Sequence, residues 1–376
     1  MLERTLLKAE IVYNGLGTPR LNGAVVVQKL QSESKIVAID SFERAQINFP
    51  DATVKDLGFA ITPKPVNAHT HLDLSSMPFH PGSYTEFIRN VIAHDESGKR
   101  NLEAAQKGIK EIKQTGISTI GDIVTEEDVM VNLLESDLRG VAYWEVFAPN
   151  SADADAEFHD LIDKLRRFKK LERPDGIRVG LSPHAPHTLS AGLLQKVVAL
   201  AKQNGLPLQI HVAESPEEIQ YVKENIGPLK DLHDYSDWQP PLLSPVQYLK
   251  QLGILEAQPT LVHMVHVDEQ DVRDVQKAGC TVVHCPRSNE TLRCGRFPWE
   301  LYARHGVTVA IGTDGRGSSP DLDITQEVRA ALELHKSKAT AQGLIWAAVK
   351  GGYRALDMTP PRFVRGDSAD SLFIWS

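Results

Sequence analysis

The chain has 376 residues, of which 41% are hydrophobic and 24% charged, and carries a formal net charge of −8. That charge argues against general nucleic-acid binding, which draws on a basic face, and no apolar run approaches the ~18 residues of a membrane span. The length suits one large α/β domain of about 250 residues plus a smaller one, with small-molecule chemistry the expectation that remains.

The opening "MLERTLLKAEIVYNG" lacks a basic start followed by an uninterrupted apolar stretch, so no signal peptide is expected. The segments "AEIVYNG", "GAVVVQKL" and "SKIVAIDSF" then read as short alternating strands between turn signals. In "VNAHTHLDLS" (66–75), His69 and His71 stand one residue apart after an apolar approach. Alternate residues of a strand share a face, so the two imidazoles project together, as a metal ion requires. The stretch 77–98 reads as a loop that shapes a pocket, as does 226–244. "LEAAQKGIKEIKQT", before Gly116, has helical spacing and a glycine stop.

Candidate strands follow at 117–124, 140–148, 177–184, 207–215, 259–267, 280–286 and 308–315, alternating with helix-like segments. With the strand ending in "VNAHTH" they number eight, which closes a (β/α)8 TIM barrel of parallel βαβ units over residues 63–350. The last stretch, "RGDSADSLFIWS", reads as a small strand pair. Residues 1–62 and 351–376 are thus assigned to a small composite β-sandwich. Cys280, Cys285 and Cys294 form no Cys-x-x-Cys pair or even disulfide framework, which points to a reduced, cytoplasmic protein.

Catalytic groups of such barrels sit at the C-terminal ends of the strands. Strand 1 ends in His69 and His71, strand 4 in His184, strand 5 in His211 with Glu214, strand 6 in His263 and His266, strand 7 in His284 and strand 8 in Asp314. Buried structural histidines would not all gather on one rim, so the pattern is read as a metal site. Glu214 lies three residues after His211, where a continuing strand would turn it to the opposite face. It is therefore placed just past the strand end, bent back over the site.

These motifs, "NAHTHL", "SPHAPHT", "HVAES", "LVHMVH", "HCPRSN" and "GTDGRGSS", resemble in order those of the amidohydrolase superfamily, in its cytosine-deaminase-like branch of aminohydrolases and chlorohydrolases. Within it, "HTHLDLS" and "CPRSN" look most like aminodeoxyfutalosine deaminases of menaquinone biosynthesis. The resemblance implies one divalent metal, Zn2+ or Fe2+, on His69, His71, His211 and Asp314, with a coordination position open for water. No lysine ends strand 4 to bridge a second ion. The resemblance also implies hydrolytic deamination of an aminated heterocycle of the adenine-nucleoside type. Metal-bound water attacks the ring carbon, Glu214 shuttles the proton to the ring nitrogen, and ammonia leaves. His263 would hold the water and steady the developing oxygen, with His266 nearby, and Asp314 would serve as second proton acceptor.

His184 is expected to contact the base. Arg287, Arg293 and Arg296, after strand 7, could hold a substrate carboxylate by paired charge-assisted bonds. Asn289 is a further candidate contact. His284 receives no site role, nor do His80, His94, His159, His233, His305 and His335. Two alternatives stand beside deamination: chlorohydrolase-type hydrolysis of a heterocycle such as a triazine, and a non-catalytic ligand-binding protein on the same fold. No Gly-x-Ser-x-Gly elbow, His-Glu-x-x-His or phosphate loop is present, and the Pro-Cys-x-x-Cys of base-flipping zinc deaminases is absent too. The expected partner is a small molecule, with neither nucleic acid nor membrane, and a homodimer is compatible with that reading.

Overall fold

The structure, a computed structural model, describes residues 3–31, 33–232 and 236–375. His233, and with it part of the 226–244 loop, lies outside the described residues. The chain divides into two compact units, Met1–Pro65 with Thr359–Ser376, and Val66–Met358.

In the first unit, β1 (Arg4–Val12), β2 (Arg20–Lys29) and β3 (Ser34–Ser41) form an antiparallel meander. β4 (Thr53–Asp56) and β5 (Ala60–Pro63) run parallel to β1. Alternation sorts the side chains as a strand must. Ala24 and Val26 of β2 pack with Leu6 and Ala45 under the helix Phe42–Asn48, while Val25 and Val27 join Ile36, Ile61 and Phe363 on the opposite face.

The second unit begins with β6 (Asn67–His71), continued by β7 (Thr119–Val124), β8 (Arg139–Val146) and β9 (Ile177–Pro183), all parallel neighbours. β10 (Gln209–Val212), β11 (Thr260–His263), β12 (Thr281–His284) and β13 (Val309–Ile311) form a second parallel run. The two runs meet through the Leu181–Leu208 bridge and the His211 N–H to His184 carbonyl bond (3.0 Å). β14 (Asp314–Gly315) resumes the line of β13 and pairs with β6, so the order of eight parallel strands closes on itself. This is the (β/α)8 barrel.

Two glycines let the strands crowd β6: a Cβ at Gly312 would stand 2.8 Å from His69 Cβ, and one at Gly121 would stand 2.6 Å from the Ala68 carbonyl oxygen. The helix Leu102–Gln114 forms where its periodicity predicts, capped by Asn101, with Ala104, Ala105, Ile109 and Ile112 buried on one stripe.

The chain re-enters the first unit after Met358, later than the expected 350. Residues 351–358 stay with the barrel because Gly351 and Gly352 pack against Val309 and Val66, where any Cβ would overlap them. β15 (Leu372–Trp375) then pairs antiparallel with β5, so both ends of the described chain share one sheet. Instead of two facing sheets, this single sheet curls, and the Lys35–Ser368 bridge ties β3 to the segment leading into β15.

Candidate metal centre and active site

His69 and His71 both reach the C-terminal mouth of the barrel from β6. His69 is fully buried. Gln209, on the same face of β10 as His211, fixes its tautomer: the Gln209 amide donates to the Ala68 carbonyl (3.1 Å), leaving its oxygen to accept the His69 Nδ1–H (2.6 Å). His211 gives its Nδ1–H to the His184 carbonyl (3.0 Å). Both rings therefore turn an unprotonated Nε2 inward.

Those two Nε2 atoms lie 3.3 Å apart, and His71 Nε2 lies 3.3 Å from His211 Nε2. Asp314 Oδ1 stands 3.6 Å from the Nε2 of both His69 and His71. Lone pairs facing one another without a shared proton repel, unless a cation sits among them. A tetrahedral ion with bonds of about 2.1 Å sets its ligands roughly 3.4 Å apart, which matches these spacings. The donor set therefore fits a divalent ion.

Electrostatics agree. Burial, reinforced by the neighbouring imidazoles, holds His71 and His211 well below the usual histidine range, and hence neutral. Burial alone would raise Asp314, but the facing imidazoles of His69, His71 and His263 override it and keep the carboxylate well below its usual range. Two hydroxyls, Ser288 (2.6 Å) and Ser318 (3.1 Å), donate to its outer oxygen, and the Gly315 N–H (2.8 Å) donates to the inner one.

Glu214 takes its place through the backbone. β10 ends at Val212, Ala213 adopts a left-handed φ of +51°, and the helix Pro216–Glu224 starts from the cap Ser215. The Ala213 and Glu214 N–H groups donate to Glu218 (3.0 and 2.7 Å), which secures the bend. Glu214 is buried, and burial first and the Asp314 charge second push its carboxyl well above the usual range. The neighbouring Tyr84 offsets this rise in part. His263 Nε2 lies 3.4 Å from Glu214 Oε1, while its Nδ1–H is donated to the Asn289 side-chain oxygen (2.9 Å). Left-handed backbone recurs at these strand ends, at His263 (φ +69°), Met264 (+50°) and Asp314 (+62°), the kind of strain that collects at functional sites.

Together these residues floor a cavity of about 70 Å3, lined by His71, His184, His211, Glu214, His263 and Asp314, by Arg100 and Glu145, and by Leu74, Tyr84, Phe87, Ile88 and Val91. Tyr84 through Val91 belong to the helix Tyr84–Glu96, inside the 77–98 stretch read as a loop. Ser83 and Glu86 close a capping box at its start.

The arginines expected at the mouth do not line this cavity. Arg287 is held by Glu327 (2.5 Å) and Asp321 (2.7 Å), which consume its donors. Arg296 pairs with Glu300, and Arg293 is exposed, its charge near Glu86 on the outer side of the helix. Asn289 is buried behind His263 instead of facing the cavity. His266 donates to the Cys294 carbonyl (2.5 Å). His284 is a core residue, stacked on Phe297 (4.2 Å) and bonded to His335 (3.1 Å). Sequence reasoning missed Gln209, Ser288, Ser318, Tyr84, Arg100 and Glu145. The one available signal was Gln209, a polar residue two positions from His211 on an otherwise apolar strand.

The amidohydrolase family profile matches residues 60–357. The chain belongs to the amidohydrolase family. It is 40% identical over 98% of its length to an aminodeoxyfutalosine deaminase from Deinococcus radiodurans, of which the match covers 90%. A 5-methylthioadenosine/S-adenosylhomocysteine deaminase from Carboxydothermus hydrogenoformans is 28% identical over 82% of this chain and 71% of its own. Among solved structures, the Helicobacter pylori aminofutalosine deaminase in complex with methylthio-coformycin superposes with a TM-score of 0.75, at 21% identity over 97% of this chain and 90% of its own.

Proposed function

We propose that the protein is a metal-dependent hydrolase that deaminates an adenine-type nucleoside, with aminodeoxyfutalosine its preferred substrate class. The observation that carries this is a buried Glu214 held beside the cluster of His69, His71, His211 and Asp314, in a chain whose 40% identical relative is an aminodeoxyfutalosine deaminase.

His69, His71, His211 and Asp314 would hold the ion, and three neutral imidazoles with one carboxylate suit Zn2+. When bound, it supplies Lewis acidity and lowers the pKa of water. The remaining work falls to the chain. Glu214 takes a proton from the attacking water and delivers it to the ring nitrogen beside the reacting carbon. Burial and the Asp314 charge raise its affinity for protons, which suits a group that accepts a proton and then passes it on. His263, with Nδ1–H committed to Asn289, offers its Nε2 lone pair to orient the water. Asp314, kept ionised, is the second acceptor. His184 lines the same cavity and meets the substrate there.

The test is ammonia release from a panel of adenine nucleosides, pyrimidines and chlorotriazines, alongside elemental analysis. We expect close to one divalent ion per chain and ammonia from adenine nucleosides. Chloride release from a triazine with no ammonia from any adenine compound would overturn the assignment.

A further inference from the structure

One wall of the cavity carries a polar pair that the deamination chemistry leaves unused. Arg100, from the turn before the helix Leu102–Gln114, and Glu145, near the end of β8, line it with side chains that are each only 9% exposed. Arg100 is anchored from behind, donating Nε–H to Asp73 Oδ2 (2.9 Å), an oxygen that also accepts from the Thr125 hydroxyl (3.0 Å). Its Nη2 stands 3.6 Å from Glu145 Oε2, close enough for charge attraction but too far for a hydrogen bond. Nη2 and Glu145 Oε1 are both buried without a hydrogen-bond partner among the described residues.

The neighbouring His184 does not relieve Glu145. Its Nε2 lies 4.0 Å from Oε1. Its Nδ1 lies 3.0 Å from the Thr188 hydroxyl oxygen, whose own proton goes to the Ala185 carbonyl (3.0 Å). His184 therefore donates from Nδ1 and presents a lone pair at Nε2. A ligand group reaching this wall must supply a donor for Glu145 and an acceptor for Arg100. A carboxylate would satisfy Arg100 and be repelled by Glu145, and an ammonium would do the reverse. A hydroxyl both donates and accepts, and carries no charge.

We propose that Arg100 and Glu145 are a specificity-determining pair that binds a sugar hydroxyl of the nucleoside. This rests on the deaminase reading above. The place suits it: the His184 ring, beside Glu145, lies 5.1 Å from the ring of His211, so the pair adjoins the reacting centre as a sugar adjoins its base.

The experiment compares kcat/KM for adenosine, 2′-deoxyadenosine, 3′-deoxyadenosine and 2′,3′-dideoxyadenosine on the metal-loaded full chain. Adenosine should exceed the dideoxy compound by about 10- to 100-fold, the range of a hydrogen bond to a charged group, and one monodeoxy compound should carry the loss. In Glu145→Leu, which removes the acceptor while Asp73 still neutralises Arg100, the ratio should collapse to within about threefold. A wild-type ratio near one would overturn the pair and leave the deaminase reading standing. So would an unchanged ratio in a Glu145→Leu protein shown by circular dichroism to be folded. Should no adenine compound release ammonia, the deaminase reading fails, and calorimetry then judges the subsite. Adenosine binding tighter than dideoxyadenosine supports it, and equal or absent binding overturns it.

Discussion

Gln209 decides which nitrogen of His69 turns toward His71, His211 and Asp314. Without its oxygen the ring is free to protonate Nε2, so Gln209→Leu should weaken metal affinity by about 10- to 100-fold, as loss of such supporting bonds does elsewhere. Competition against a graded chelator would measure this, and an unchanged affinity would remove Gln209 from the site. Glu214→Gln should instead keep the ion and lower kcat by about 10²–10⁴-fold, read from ammonia release beside metal content. The four residues that the structure gathers here, His69, His71, His211 and Asp314, were legible because each lies in a short motif at a strand end. Gln209 was not, since its partner His69 is 140 residues away and a strand pattern names no partner. The left-handed turns at Ala213, His263, Met264 and Asp314 were equally hidden, because none falls on a glycine.

Among the elements, the short helix Pro286–Thr291 shows how a loop motif misleads. Its sequence offered Arg287 to a substrate, yet the side chain spans to the fully buried Glu327 on the helix Ile324–His335. Removing one partner of a buried pair strands the other, so Arg287→Ala should destabilise the fold by about 3–5 kcal/mol. The ratio of rates on anionic and uncharged nucleosides should stay unchanged. Denaturant unfolding and paired kinetics test the two halves separately.

The same helix ends in His335, which burial first and the Arg296 charge second lower to about 4. His284, against it, is held well below its usual range by burial and by His335. Both are neutral when folded, whereas an unfolded chain binds protons there from about pH 6.5 downward. The unfolded state gains protons that the folded state refuses, so stability is full above pH 6.5 and falls as pH drops towards 4. His335→Gln should flatten that fall, seen as a smaller loss of unfolding midpoint between pH 7 and pH 4.5 than in the parent chain. An identical loss in both proteins would refute the idea.

For the whole molecule, the alternation of strands and helices made the barrel legible, because each βαβ unit is a local pattern. The curl of the terminal sheet was not, since bringing β15 beside β5 depends on pairing between distant segments. β5 is flanked by β1 on one side and β15 on the other. Deleting residues 372–375 should expose that edge and its template of unpaired backbone groups. The expected result is a lower soluble fraction and larger species on size exclusion, and a monodisperse full yield would contradict it.

The shared sheet also imposes a timetable on the ribosome. β5 ends at Pro63 and its partner β15 begins at Leu372, so the nascent chain carries a half-satisfied strand while the whole barrel is being translated. At roughly 5–20 residues per second that interval lasts on the order of 15–60 s. During it, the terminal sheet waits with one edge of β5 unpaired, and holdase chaperones have their longest opportunity to bind.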